Sequence, residues 1–293
     1  MTIGIDVRNA EVAVMVVDPQ GTVVKRAARD GATAGSAADA VAAVDGHSPK
    51  RIGAALRDLR DQATADVVAA AAGAARVTEA PRVVTRGAAV ALAEQWLGAA
   101  RGARYVVALT ATDCVDAGIV IDGHVFEGAH GLAGAAGWLA LNPVEREDYR
   151  RLGCLETEIG ANGIVRRMVW RLKSGDTSRV LEMAGGRLAN ITVPHVFDAA
   201  RQDDGVAIAV VRDTARYIGM AIGNLVAIVD PDVVVLGGLM AEAADLLLEP
   251  LRGEAARRMS SSVASTLQIV PGVLGDDAPA LGAARAAMLV GDR

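Results

Sequence analysis

Two sets of three short apolar runs constrain the fold of this chain more than any other feature. Tight turns separate the runs, at residues 18–21 (Asp-Pro-Gln-Gly) in the first set and at Asp122-Gly123 in the second. Apolar runs joined by such turns predict antiparallel strands arranged as a meander. The predicted strands cover residues 3–6, 11–17 and 22–26, and then 105–110, 117–121 and 124–127. Because helical segments follow each set, the pattern predicts an α/β protein with two similar lobes.

The segment between the two meanders predicts a mixture of helices and strands. Ser48 is a suitable N-cap and Pro49 a suitable first helical residue. Ile52, Leu56 and Leu59 then form one apolar stripe at helical spacing. These signals predict a helix to about residue 63, a buried strand at 66–72, a short strand at 83–85 and a helix at 87–101.

The second half of the chain is predicted to be mostly helical. A long apolar pattern is closed by Asp230-Pro231, and a buried apolar run follows that ends in Gly237-Gly238. The predicted helices cover residues 156–173, 193–201, 205–229, 241–259 and 280–290, and the predicted strands cover 233–236 and 268–270.

Composition narrows the class of protein. A chain of 293 residues with 52% hydrophobic content is long enough for two lobes with real cores. The net charge of −5 disfavours nucleic acid as a direct partner. Two cysteines, Cys114 and Cys154, make no disulfide framework and favour a reducing compartment. With no apolar run of membrane length and no leader pattern, the sequence predicts a cytoplasmic protein without a membrane partner.

Several motifs occur in a characteristic order along the chain. They lie at residues 4–6 (Gly-Ile-Asp), 91–94 (Ala-Leu-Ala-Glu), 153–157 (Gly-Cys-Leu-Glu-Thr), 196–238 and 279–285. This ordered set resembles the ROK family of repressors, open reading frames and kinases. The resemblance implies the two-lobed sugar-kinase fold of the actin-like ATPase (ribonuclease H-like) type, which binds ATP and a sugar. We expect an N-terminal lobe at 1–108, a C-terminal lobe at 109–279, and a final helix, 280–293, that returns to the first lobe.

The resemblance also locates the general base of the family's kinases, an Asp eight residues before Glu94. Arg86 occupies that position here. A guanidinium stays protonated and cannot accept the sugar proton, and loss of a general base typically costs about 10²- to 10⁴-fold in rate. Two interpretations remain open. Arg86 binds an anion or a carboxylate, or its stem packs at the helix start while its charged head reaches water.

The nucleotide-binding positions of the family are also replaced. Arg8-Asn9-Ala10 stands where the family has Gly-Gly-Thr, and residues 111–117 contain Asp113 and Asp116 where the family has glycines. Two aspartates there oppose a triphosphate, unless Mg²⁺ bridges Asp6, Asp113 and a phosphate. Candidate cofactor-binding residues are therefore Asp6 and the Gly237-Gly238 pair. Two interpretations of this pair remain open: the glycines lie under a bound adenine, or they simply form a tight strand-to-helix turn.

Sugar and zinc positions differ in the same way. The family's Gly-Glu-x-Gly-His becomes a segment with Ala135 and Trp138. Core or interface packing is the expected role of Trp138, and stacking on a ligand ring is the alternative. Of the four structural zinc ligands only Cys154 remains, since Trp138, Glu147 and Tyr149 hold the other positions. One thiol makes no tetrahedral site, so we expect no metal, no structural zinc, and a buried apolar Cys154.

These replacements together predict a non-catalytic ROK-like protein that acts as a regulatory, ligand-binding or assembly component. One alternative is an ATP-dependent hexose or N-acetylhexosamine kinase with an altered site, which would bring ATP and Mg²⁺ as cofactors. A second is a transcriptional regulator without its own DNA-binding domain, because the strand pattern beginning at Ile3 leaves no room for one. We expect a homo-oligomer or a protein partner, and a small-molecule ligand is compatible with the sequence.

Overall fold

The computed structural model describes residues 1–44, 46, 49–112 and 114–290, which fall into two units by their contacts. The first unit comprises Met1–Ala108, Ala117–Gly134 and Gly272–Arg293, and the second comprises Leu109–Asp116 and Ala135–Pro271. Ser48 and Asp113, which carry predictions from the sequence, lie outside the described residues, as do positions 291–293 of the predicted final helix.

A five-stranded sheet organises the first unit within the described residues. Its strands are β1 (Thr2–Val7), β2 (Glu11–Val17), β3 (Val23–Asp30), β4 (Arg51–Leu56) and β5 (Arg82–Thr85), in the order β3-β2-β1-β4-β5. β1, β2 and β3 pair antiparallel and form the predicted first meander, whereas β4 and β5 add parallel to β1. The helices of this unit are α1 (Ala34–Ala43), α2 (Gln62–Ala75), α3 (Arg86–Leu97) and α13 (Ala278–Met288).

The side-chain alternation of β1 separates its two faces. Ile3, Ile5 and Val7 belong to one apolar cluster with residues of α1 and α2. Gly4 faces the other side, where a Cβ atom would lie 1.9 Å from the carbonyl oxygen of Ala280 in α13. Since successive side chains of a strand point to opposite faces, the side chain of Asp6 lies on the same side as Gly4.

Close backbone contact fixes α13 between the sheet and α3. A Cβ on Gly53 of β4 would lie 1.7 Å from the Ala283 oxygen, and a Cβ on Gly282 would lie 1.7 Å from the Ala89 oxygen. Glu94 strengthens the same region. Its buried carboxylate accepts hydrogen bonds from the backbone amides of residues 99, 273 and 274, at 2.8, 2.9 and 3.0 Å.

The predicted helix at 49–63 is wrong, because residues Arg51–Leu56 form β4. Ile52 and Leu56 fit a helical stripe, but they also fit a strand in which residues 52, 54 and 56 face the apolar cluster. Gly53 decides between the two, since it permits the close approach of α13 and is unfavourable inside a helix. The predicted strand at 66–72 is also wrong. It lies within α2, whose N-cap Asp61 accepts a hydrogen bond from the amide of Ala63.

A second five-stranded sheet has the order β10-β9-β6-β7-β8. Its strands are β6 (Tyr105–Ala111), β7 (Val115–Ile121), β8 (His124–Val125), β9 (Val233–Gly238) and β10 (Gln268–Pro271), and the residues of β6 and β7 are divided between the two units. β9 and β10 pair parallel, and β7 and β8 pair antiparallel. The helices of the second unit are α4 (Glu147–Leu152), α5 (Cys154–Ile159), α6 (Ala161–Lys173), α7 (Arg179–Met183), α8 (Val193–Arg201), α9 (Gly205–Val229), α10 (Leu239–Glu242), α11 (Ala244–Ala256) and α12 (Ser261–Thr266).

Two predicted helices of the second unit are each divided in two. The segment 156–173 breaks at Gly160, which ends α5 and begins α6. The segment 241–259 is replaced by α10 and α11, which break at Ala243. Elsewhere α9 has the predicted bounds. Its N-cap Asp204 accepts from the Ala207 amide at 2.9 Å and also from the amide of Arg179, the first residue of α7, at 2.8 Å.

Among the helices of the described residues, none has the length and apolar character that crossing a membrane requires.

Candidate functional site

The carboxylate of Asp6 lies at the end of β1 and is completely buried. It stands on the side of the sheet that carries α13, where a carboxylate without partners would be very unfavourable. Both of its oxygen atoms therefore need positive or hydrogen-bonding partners, and two guanidinium groups provide them.

Arg86 is the first of these partners. It begins α3, whose N-cap Thr85 accepts a hydrogen bond from the Ala88 amide at 3.2 Å. The Arg86 Nε donates to Asp6 Oδ1 at 2.8 Å and its Nη2 donates to Asp6 Oδ2 at 3.3 Å. The side chain is only 7% exposed. The interpretation that its head reaches water is therefore wrong. Arg86 binds a carboxylate, and that carboxylate belongs to the chain itself.

Arg8 is the second partner, and the sequence analysis missed it. Its Nε donates to Asp6 Oδ2 at 2.7 Å, and its Nη2 donates to the carbonyl oxygen of Asp276 at 3.0 Å. Burial lowers the pKa of Arg8, but the hydrogen bond and the charge of Asp6 outweigh burial and leave that pKa raised. Residues two apart in an extended segment share a face, so the spacing of Asp6 and Arg8 was a usable signal.

This Arg8–Asp6–Arg86 cluster decides what Asp6 can do chemically. A carboxylate offers about four acceptor positions, and the two arginines already use three of them. Both guanidiniums keep their charge at any ordinary pH. The cluster therefore fits neither a proton acceptor nor a magnesium ligand at Asp6. The predicted bridge from Asp6 through Mg²⁺ to Asp113 also involves a residue outside the described part of the chain.

The glycine pair ends β9 and leads directly into α10. Gly238 has a φ of +60°, and a Cβ there would lie 2.2 Å from the carbonyl oxygen of Ala111 and 2.7 Å from Cγ2 of Thr112. The geometry by itself explains why glycine is needed for this strand-to-helix turn. Contact of Gly237 and Gly238 with an adenine stays a prediction.

The carboxylate of Glu156 anchors the loop that follows β6. It accepts a short hydrogen bond from the backbone amide of Val115, and the Thr112 amide donates to the carbonyl oxygen of Cys114 at 3.0 Å. A Cβ on Gly137 would lie 2.9 Å from the Val115 oxygen and 3.3 Å from Cβ of Glu156. The loop near the candidate glycine pair is therefore held by backbone contacts and by one acidic side chain.

Trp138 and Ala135 occupy the positions where the resemblance implies sugar contacts. Trp138 is the last residue of a short 3₁₀ segment, Ala136–Trp138, and Ala135 directly precedes this segment. Trp138 is 59% exposed. The expectation that this ring packs in the core is therefore wrong, whereas packing at an interface or stacking on a ligand ring stays a prediction. Ala135 carries no polar group with which to hold a sugar hydroxyl.

A polar network contains Tyr149, one of the four positions that correspond to the family's zinc ligands. The Tyr149 hydroxyl donates to Glu158 Oε1 at 2.5 Å, and Arg146 and Arg167 form ion pairs with the same carboxylate at 3.1 and 3.3 Å. Burial, together with the carboxylate of Glu158, raises the pKa of Tyr149 well above its ordinary value. Cys154 is buried, as predicted. Across the part of the chain that the structure describes, no cluster of three or more His, Cys, Asp or Glu side chains is arranged to hold a metal ion.

Two cavities lie away from these residues. One, of about 470 Å³, is in the first unit and is lined mainly by Leu92, Leu289 and Val290 with Arg82 and His124. The other, of about 340 Å³, is in the second unit and is lined by charged residues of α6 and α9 beside Glu158. Neither contains Asp6, Arg86 or the glycine pair.

Comparison with known proteins gives this arrangement its context. The model of the ROK family matches residues 72–289. The chain belongs to the ROK family. A glucokinase of Halalkalibacterium halodurans is 32% identical over 208 residues, which are 70% of this chain and 63% of the relative. The N-acetylglucosamine repressor of Escherichia coli O6:H1 is 30% identical over 54% of this chain and 38% of the repressor.

The structural comparison confirms the predicted fold. A ROK glucokinase from Streptomyces griseus, solved with glucose and AMPPNP, superposes with a TM-score of 0.81 and 25% identity over 98% of this chain and 99% of that one. The protein has the two-lobed α/β sugar-kinase fold of the actin-like ATPase type, with two mixed five-stranded sheets. It spans less than two thirds of the length of the curated glucokinase that it matches.

These relatives contradict the prediction of a non-catalytic protein. That prediction treated each replaced position as a lost function and took their sum as the loss of activity. Enzymes accelerate reactions by about 10⁶-fold or more, whereas loss of a general base costs about 10²- to 10⁴-fold. The loss of rate expected from Arg86 at this position is therefore too small to outweigh the similarity to glucokinases over 70% of the chain.

Proposed function

We propose that this protein is an ATP-dependent sugar kinase that transfers a phosphoryl group to a hexose, with glucose as the first substrate to test. The observation that carries the proposal is the similarity to glucokinases in both sequence and fold, 32% identity over 208 residues and a TM-score of 0.81 over nearly the whole chain. Neither relative's name establishes the substrate of this chain, so the identity of the sugar is itself part of the proposal.

The chemistry of phosphoryl transfer is compatible with an arginine at position 86. The transferred group passes through a loose transition state in most analyses, so catalysis depends mainly on positioning and on electrostatic stabilisation. A general base contributes less than these two effects. Close backbone contacts around Gly238 and Gly137 support the proposal, because they fix the local backbone at two family motifs of the second unit.

Magnesium and ATP are the cofactors that this reaction implies. Bound Mg²⁺ neutralises the phosphate oxygens of the nucleotide. Asp6 does not fit as its ligand, because Arg8 and Arg86 already hold the Asp6 carboxylate. We therefore derive no step through a metal held by this residue.

A substrate panel tests the proposal. Purified protein is incubated with Mg-ATP and a series of hexoses and N-acetylhexosamines, and ADP release is followed in a coupled assay. We expect turnover of at least about 1 s⁻¹ with one sugar, in the usual range for enzymes. ADP release that does not depend on any sugar in the panel would contradict the proposal.

A matched pair of glycine variants separates activity of this chain from that of a contaminant. Gly238→Ala places a Cβ 2.2 Å from the Ala111 oxygen, whereas Gly185→Ala has a similar positive φ and no atom within 4 Å of the new carbon. Misplacement of a site by about 1 Å typically costs about 100-fold in rate. We expect Gly238→Ala to lose most of the activity and Gly185→Ala to retain it. Equal activity in both preparations would indicate a contaminating kinase.

The oligomeric state stays a prediction. Because closed symmetric dimers are the commonest homo-oligomers, we propose a homodimer. Light scattering across a range of concentrations tests it, and a monomer throughout that range would refute it.

A further inference from the structure

In the Arg8–Asp6–Arg86 cluster, permanently charged guanidinium groups surround a carboxylate at the end of a strand. Without them, this carboxylate would be open to a metal cation. Asp6 has no exposed surface. Its oxygens accept from guanidinium nitrogens at 2.7, 2.8 and 3.3 Å. Each of the two positive groups is thus in direct contact with the carboxylate.

The requirements of a divalent cation conflict with this arrangement. Mg²⁺ needs oxygen ligands at about 2.0–2.1 Å in near-octahedral geometry and usually keeps several of its waters. A carboxylate with no exposed surface has no room for such a hydrated ion. Two neighbouring guanidiniums also repel the ion, and neither loses its proton at ordinary pH.

The two arginines differ in how firmly they are held. The side chain of Arg8 is 23% exposed, and Arg8 also contacts Glu11 and Asp276, so it has other partners near the surface. Arg86 is only 7% exposed, and it starts α3, whose first turn is fixed by the Thr85 cap. Arg86 is therefore the partner that makes the pairing permanent.

We propose that Arg86 is a built-in counter-ion that takes the place of a protein-bound divalent cation at Asp6. A divalent ion brought by a nucleotide would then be held through the phosphates of that nucleotide and not through Asp6. The proposal does not depend on the proposed kinase activity, because it concerns metal binding to the nucleotide-free protein.

The first test uses the wild-type chain and needs no variant. Mn²⁺, a paramagnetic substitute for Mg²⁺, is titrated into isotopically labelled, nucleotide-free protein, and relaxation of the backbone amide resonances is measured. We expect no selective broadening of residues 5–7 at Mn²⁺ concentrations up to about 1 mM, the range of weak binding. Selective, saturable broadening centred on Asp6 would overturn the proposal.

The second test removes the charge of the counter-ion. Arg86→Met keeps an apolar stem, and Arg82→Met is the matched control, since Arg82 pairs with Glu127 instead of Asp6. We expect Arg86→Met to bind Mn²⁺ at least about tenfold more tightly than the wild type, which corresponds to about 1.4 kcal/mol. The gain should disappear when Asp6→Asn is added, and Arg82→Met should show none.

A folded Arg86→Met protein that binds Mn²⁺ no better than the control would also overturn the proposal. Folding is checked from the dispersion of the amide spectrum and from the melting temperature. If Arg86→Met does not fold, Arg86→Lys replaces it. This variant keeps the charge, and Asp6-dependent Mn²⁺ binding to it would count against a role for the charge.

Discussion

Asp6→Asn is expected to destabilise the first unit more than any other single change in the Arg8–Asp6–Arg86 cluster. The substitution keeps the shape of the side chain but removes the charge of Asp6 from the buried guanidinium of Arg86. At a charge separation of about 4 Å and an intermediate dielectric, one such pair is worth about 4 kcal/mol. Removing one partner of a buried pair typically costs about 3–5 kcal/mol, and we expect Asp6→Asn to fall in this range.

The structure also predicts the order of the other variants. Arg86→Met leaves Asp6 paired with Arg8, so about 2–3 kcal/mol is expected. Arg8→Met removes a partly exposed group and leaves Arg86 in place, so about 1 kcal/mol is expected. The double variant Asp6→Leu/Arg86→Met removes both charges together and should cost less than the sum of its single changes, since apolar replacement of a buried pair is often nearly neutral.

A double-mutant cycle of Asp6→Leu, Arg86→Met and their double variant measures the coupling between residues 6 and 86. Two units need not unfold in one step, so urea unfolding followed by circular dichroism is combined with hydrogen exchange of the β1 amides. We expect a coupling energy of about 2–3 kcal/mol. Single-variant costs that add within about 0.5 kcal/mol, or an Arg8→Met variant less stable than Asp6→Asn, would refute the reasoning.

Four further changes test the packing and the capping of the two units. Gly53→Ala places a Cβ 1.7 Å from the Ala283 oxygen and should destabilise the protein by about 3 kcal/mol or more. Gly73→Ala, in an open part of α2, should instead stabilise it by up to about 1 kcal/mol. Thermal unfolding of both variants checks these values. Glu94→Gln replaces one of the two accepting oxygens with a donating NH2 group. At least one of the three backbone amides then loses its acceptor, which should cost about 2 kcal/mol in urea unfolding. Asp204→Ala should cost about 1–2 kcal/mol at pH 7. Burial raises the pKa of Asp204, but hydrogen bonds from backbone amides outweigh burial and leave that pKa below its ordinary value of 3.8. The destabilisation by Asp204→Ala is therefore complete above pH 3.8 and becomes smaller as the pH falls further. Unfolding at several pH values tests this trend.

Local signals in the sequence predicted the secondary structure correctly where only one type of element fitted the pattern. The first meander, the long helix α9 and the strand that ends in Gly237-Gly238 all follow from alternation, capping and turn residues. The predictions for residues 49–75 were wrong because short apolar stretches fit both a strand and a helix. Their outcome depended on the packing of Gly53 against α13, more than 200 residues away in the chain.

The candidate site was only partly predictable for a related reason. The sequence identified Arg86 and Asp6 separately and assigned them to different roles, a lost base and a possible metal ligand. Their direct contact joins residues 80 positions apart, which periodicity does not reveal. Arg8 was within reach of the prediction, because it lies two residues after Asp6, directly beyond the end of β1. The polar network around Glu158 joins residues from separate helices and gave no comparable signal.

Direct observation of the product tests the central claim, that this chain phosphorylates a sugar. Purified protein, Mg-ATP and glucose are followed by ³¹P NMR, which separates a sugar phosphate monoester from ADP and inorganic phosphate. The proposal predicts a new monoester resonance that grows in step with ADP, at about 1 s⁻¹ per chain or faster. ATP that stays intact, or that yields only ADP and inorganic phosphate with glucose and with every other hexose tried, would contradict it.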